Sequence, residues 1–85
     1  MPAVARVGDA ISHGGSILGG AARTLAEGQP VARQGDAVNC SEHGMQTITG
    51  GSSTVLVEGQ PVARVGDAVS CGATIVGGAS SVLAG

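Results

Sequence analysis

One unit is written three times along this chain, and that repetition limits what it can fold into more than any other feature. Ala3-Val4-Ala5-Arg6-Val7-Gly8-Asp9-Ala10, Pro30-Val31-Ala32-Arg33-Gln34-Gly35-Asp36-Ala37 and Pro61-Val62-Ala63-Arg64-Val65-Gly66-Asp67-Ala68 align without gaps. A repeat this short cannot bury an apolar face alone, so its copies must pack on one another. Five positions after the Gly-Asp glycine, each unit carries a ligand-type residue: His13, Cys40 and Cys71. Each unit then reaches a glycine pair, Gly19-Gly20, Gly50-Gly51 or Gly77-Gly78. That pair lies eleven residues beyond the Gly-Asp glycine in the first and third units, and fifteen in the second. The four extra residues fall around Ser41, Glu42, His43 and Gly44, and they deliver a fourth ligand type, His43.

Two sulfurs and two imidazoles are the number and type of donors that a closed tetrahedral zinc site requires. The residues alone leave other readings open. The cysteines can be small buried core residues beside turn histidines. A Cys40–Cys71 disulfide would suit an exported product but leaves both histidines without a role. Cys40 with His43 has the composition of a thiolate–imidazole nucleophile pair. Against catalysis, a three-residue spacing within a turn builds neither an oxyanion hole nor a substrate pocket. A zinc ion holding all four residues also keeps no position for water. No enzymatic activity is expected, and no small-molecule substrate.

Something besides core burial must hold this chain together. Its 85 residues make one small domain, a size at which an apolar core is marginal without a metal, disulfides or a partner. It has no Phe, Tyr or Trp, so the core is left to Val, Ile, Leu and Ala. Sixteen glycines add chain entropy that folding must overcome. The net charge of −2, with four arginines and no lysine, offers no basic stripe for nucleic acid. No apolar run approaches membrane-spanning length and no signal-peptide pattern opens the chain, so synthesis in the cytoplasm is expected.

The connecting segments read as strands. Thr54–Glu58 should extend, Gly59-Gln60-Pro61 turn, and Val62–Val65 extend again; Arg23–Glu27, Gly28-Gln29-Pro30 and Val31–Arg33 repeat the hairpin. Glycine and β-branched density disfavours helix, and only Ala79-Ser80-Ser81-Val82 resembles a helix start. Pro2–Val7 corresponds to the second hairpin strand and Ser81–Gly85 to the first. Pairing the chain ends would therefore complete a pseudo-threefold ring and cover two edges. Asp9, Asp36 and Asp67 are expected in turns, accepting backbone N–H groups. Arg6, Arg33 and Arg64 should pair with them or with Glu27 and Glu58.

The recurring unit closely resembles the PAAR-repeat family. Pro30-Val31-Ala32-Arg33 and Pro61-Val62-Ala63-Arg64 carry the motif with Val at its second position, and Pro2-Ala3-Val4-Ala5-Arg6 carries it with one extra residue. The resemblance covers essentially the whole chain, including His13-Gly14-Gly15 and Cys40-x-x-His43-Gly44. It implies an all-β fold: a small cone of short strands with pseudo-threefold repeats, one domain over 1–85 with units of about 2–29, 30–60 and 61–85. It also implies one structural Zn2+ near the tip, which here would be held by His13, Cys40, His43 and Cys71. Members are typically described with three histidines and one cysteine, and this chain departs from that with two of each.

The function implied is the spike tip of a contractile injection machine, the type VI secretion system or a related phage-type tail. The cone's base would sit on a trimeric VgrG-like β-helical spike, one cone per trimer. Contact with a target membrane would be transient. Effector proteins are possible cargo, and an effector adaptor without a piercing role is the alternative. The product would be made in the cytoplasm, assembled on the spike and expelled to the extracellular space or a target cell. Toxin extensions are known in the family, and 85 residues leave no room for one. The expected spike-facing segments are Ser52–Val57 and Ala79–Leu83, with Val55 and Val82 as positions where a charge should weaken docking.

Overall fold

Apolar segments broken every few residues by glycine can form only short strands, and among the described residues nine of them carry the fold. They are β1 (Ala3–Val4), β2 (Gly15–Ile17), β3 (Ala21–Ala26), β4 (Gln29–Val31), β5 (Ala37–Cys40), β6 (Gly44–Thr47), β7 (Leu56–Val57), β8 (Gln60–Pro61) and β9 (Ala79–Leu83). The computed structural model describes residues 2–83, and among them no helix forms. The strands pair antiparallel as β1–β9, β3–β4, β7–β8 and the three-stranded β2–β5–β6. Ala79-Ser80-Ser81-Val82, the sequence's best helix start, lies in a strand: β9 pairs with β1, Ala3 opposite Leu83 and Val4 opposite Ala79. The chain ends thus meet as the repeat requires; the part of that expectation on Ala84 and Gly85 lies outside the described residues.

The three units close on one another through a ring of backbone hydrogen bonds. Ala5 N–H donates to the Ala63 carbonyl at 2.9 Å, Ala63 to Ala32 at 3.0 Å, and Ala32 back to Ala5 at 2.9 Å. All three alanines are fully buried. They are the alanine before Arg in each motif copy, so the repeat's small residue marks the pseudo-threefold axis. On one side of this ring lies a second, built from the cross-unit pairs Ile17–Val38, Ile48–Val69 and Ile75–Ile11. On the other side Val4, Val31 and Val62 cluster with Ala26 and Ala79. Stacked threefold layers of aliphatic side chains are how this chain builds a core without an aromatic ring.

Each Arg-x-Gly-Asp segment is a tight turn closed twice. Asp36 N–H donates to the Arg33 carbonyl at 3.0 Å, and Arg33 N–H donates to Asp36 Oδ2 at 2.7 Å. Gly35 has φ +93°, a conformation that a side chain would strain and that this turn position demands. The guanidinium then folds over the carboxylate, Nε to Oδ2 at 3.1 Å and Nη2 to Oδ1 at 3.0 Å. Arg6–Asp9 and Arg64–Asp67 repeat this geometry. Hydrogen bonding to the aspartate is the main influence raising each arginine's pKa above its ordinary value, against burial that lowers it. Glu27 adds a second carboxylate to Arg6 at 3.0 Å, and Glu58 one to Arg33 at 3.8 Å. Asp36→Ala keeps the backbone closure of its turn but removes the side-chain one and both guanidinium contacts, with an expected cost of about 1–3 kcal/mol. A denaturant titration checks it, and a change below about 0.5 kcal/mol would assign the turn's stability to its glycine and backbone hydrogen bond.

The hairpin loops sit one residue earlier than the sequence suggests. Ala26 pairs with Gln29 and Val57 with Gln60, so the loops are Glu27-Gly28 and Glu58-Gly59, and Gln-Pro already belongs to the returning strand. All four loop residues have positive φ, 51° and 84° in one hairpin and 49° and 85° in the other. That is the two-residue turn whose twist matches the flanking strands, and the match outweighs the preference of Pro for turns. The turn expected around Cys40 and His43 is also narrower than the sequence suggests: Ala37–Cys40 and Gly44–Thr47 are strands, and only 41–43 turn. The pairs Ala10–Ser16, Ala37–Thr47 and Ala68–Thr74 show a hairpin in every unit. The four extra residues of the middle unit lengthen its hairpin into β5 and β6.

Candidate metal centre

Three hairpin ends converge beyond the isoleucine–valine layer, and they carry the four residues singled out by the repeat. His13 lies in the first, Cys71 in the third, and Cys40 and His43 flank the tip of the longer middle hairpin. Cys40 ends β5 with its side chain buried, because alternation places Val38 and Cys40 on the inner face and Asn39 on the outer. Two extra rungs on β5–β6 carry the chain far enough to return His43 to the same point. Glycine is needed where the first hairpin crosses β5: at Gly15, φ is +108° and a Cβ would run into the Asn39 carbonyl oxygen.

The donor atoms of His13, Cys40, His43 and Cys71 all lie within 4.8 Å of one another. Cys40 Sγ is 3.5 Å from His43 Nδ1 and 3.8 Å from His13 Nδ1, and Cys71 Sγ is 3.8 Å from His13 Nδ1. A tetrahedral ion with zinc–sulfur and zinc–nitrogen bonds of ordinary length has S···N edges of about 3.6 Å. The residues therefore fit a four-coordinate metal ion. Both cysteines are free thiols. Burial pushes the Cys40 thiol up, while hydrogen bonds from His43, the Glu42 backbone, Cys71 and His13 pull it further down, leaving it at about 6. A thiol that ionises near neutrality is ready to bind a cation.

A second set of residues, which the spacing of ligands did not reveal, ties the three turns together. Ser41 Oγ donates to the His13 carbonyl at 2.7 Å. Ser70 Oγ donates to Gln46 Oε1 at 2.7 Å, and Gln46 Nε2 donates to the His43 carbonyl at 3.0 Å. Ser12 Oγ accepts from Thr74 N–H at 3.0 Å. Each serine thus reaches into a neighbouring unit, and the three contacts run around the axis in one sense. The signal is present in the sequence, since Ser12, Ser41 and Ser70 each adjoin a slot residue. Such contacts fix ligand-bearing backbone before a metal arrives.

No curated protein matches the chain. The PAAR motif matches residues 4–77, a span that takes in all three Arg-x-Gly-Asp turns, the alanine ring and every one of the four convergent ligand residues. Over that span the chain belongs to the PAAR motif family.

Proposed function

We propose that this protein is a non-enzymatic spike tip. It caps a trimeric VgrG-like β-helical spike of a type VI secretion system, one tip per trimer, and one structural Zn2+ held by His13, Cys40, His43 and Cys71 locks its point. Membership of the PAAR motif family supports the reading, since that family is linked to spike tips. Four protein donors leave a tetrahedral ion no position for a substrate or an activated water. Made in the cytoplasm and mounted on the spike, the tip would leave the cell with it and touch the target membrane only in passing.

The observation that carries the docking is the end of the molecule opposite the metal centre. Leu25, Leu56 and Leu83 hold the same place in the three units and are 61%, 63% and 51% exposed. Three equivalent apolar side chains around one axis suit the end of a threefold partner. Val55 and Val82, by contrast, pack against the valine cluster beneath them, so a charge there tests folding before docking. Leu56→Asp should leave thermal stability unchanged and weaken binding to the cognate spike trimer by about tenfold or more. Affinity by biolayer interferometry checks it. If the triple variant, with Asp at all three leucines, binds as the unmodified protein does, this end is not the docking face.

A further inference from the structure

We propose that Cys40 and Cys71 form a redox-responsive dithiol, which a two-electron oxidant of the peroxide class converts to a disulfide with release of the bound metal. The inference rests on the metal reading above and adds a chemistry to it. The chain has two cysteines, on segments 31 residues apart, and the fold brings both to one cluster. A site needing only rigidity is served equally by imidazole and thiolate. Two sulfurs in one cluster add the ability to bond to each other.

The two sulfurs differ in access, which orders the steps. Cys40 is buried at the end of β5, whereas Cys71 is partly exposed in the hairpin turn before Gly72. Peroxide meets Cys71 first. The Cys71 thiolate attacks one peroxide oxygen, the O–O bond breaks, and a sulfenic acid forms as hydroxide leaves and is protonated to water. The Cys40 thiolate then attacks that sulfur, the S–S bond forms, and a second water departs. In sum two thiolates, one hydrogen peroxide and two protons give one disulfide and two waters. The gap to close is from within 4.8 Å to an S–S bond of about 2 Å. An exposed turn with φ +91° at Gly72 stands at the moving end. The disulfide would leave His13 and His43 as the site's remaining donors, half the set and neither of them anionic, too few to hold a metal ion.

The test uses the full chain as isolated, its metal content measured first, then titrated with hydrogen peroxide. Peptide mapping reads the Cys40–Cys71 cross-link, and a chromophoric chelator reads released metal. Mapping is needed because Met45 is exposed and takes up oxygen in the same experiment. The expected result is one metal ion released per cross-link formed, reversed by a thiol reductant with metal resupplied. Cys71→His keeps four donors, and it should hold its metal through the same titration. Sulfurs that survive with metal in place, or that oxidise separately without cross-linking, overturn the proposal. So does metal loss from Cys71→His at the unmodified rate. A protein holding no metal at the outset instead sinks the metal reading, and this proposal falls with it.

Discussion

Stripping the metal is expected to unfold this protein. Structural zinc supplies an apparent binding free energy of about 10–16 kcal/mol in small domains at neutral pH. The whole stability of an ordinary domain is about 5–15 kcal/mol. Here the competing contributions are small: the core is aliphatic, and the strands run two to six residues. The ligands span positions 13 to 71, so one bound ion would join all three units at the end where the hairpin tips converge. Dialysis against a strong chelator should abolish the cooperative thermal transition followed by circular dichroism, and equimolar zinc should restore it. Cys40→Ser should come close to the chelator result, because Cys40 is buried and touches both histidines. His43→Ala should cost less, since His43 is exposed and water can take its place in the coordination shell. An apo protein that melts at the same temperature as the metal-loaded one would mean that the backbone ring and the ion pairs suffice.

That expectation is largely legible in the amino-acid sequence, because it depends on counting ligand types at a repeated position. The four ligand residues, the strand-rich character and the meeting of the chain ends all follow from the repeat. What the sequence conceals has a common cause. The loops at Glu27-Gly28 and Glu58-Gly59 are displaced by one residue because Gln-Pro favours a turn locally, whereas strand twist decides the matter in three dimensions. Cys40 and His43 look like parts of one turn because Gly35, Asp36, Asn39 and Gly44 surround them, yet cross-strand pairing with β2 and β6 makes β5 the centre of the largest sheet. The serine contacts around the metal centre join residues 24 to 62 positions apart, so no local pattern announces them. The packing of Val55 and Val82 against the valine cluster is hidden for the same reason. A two-residue alternation tells which side chains share a face, and only packing tells which face is inward.

The second large effect is expected at the isoleucines of the threefold layer. Ile17, Ile48 and Ile75 are the bulkiest fully buried side chains, each about 1% exposed. Replacing any one by alanine should cost about 2–5 kcal/mol, and by valine about 0.5–1.5 kcal/mol. The alanine values should fall in the upper part of that range. Their cross-unit partners Val38, Val69 and Ile11 are β-branched and stiff at χ1, so they cannot swing to refill the space. Denaturant midpoints of the three metal-saturated variants give the comparison, with metal in excess so that site occupancy does not enter. If the threefold layer is the physical unit of this core, the three costs agree within about 1 kcal/mol despite the longer hairpin of the middle unit. A double substitution in one pair, Ile48→Ala with Val69→Ala, should cost less than its two parts together, because both side chains line one cavity. Three unequal costs would instead make the repeat a matter of sequence only, with one unit carrying the fold and the others resting on it.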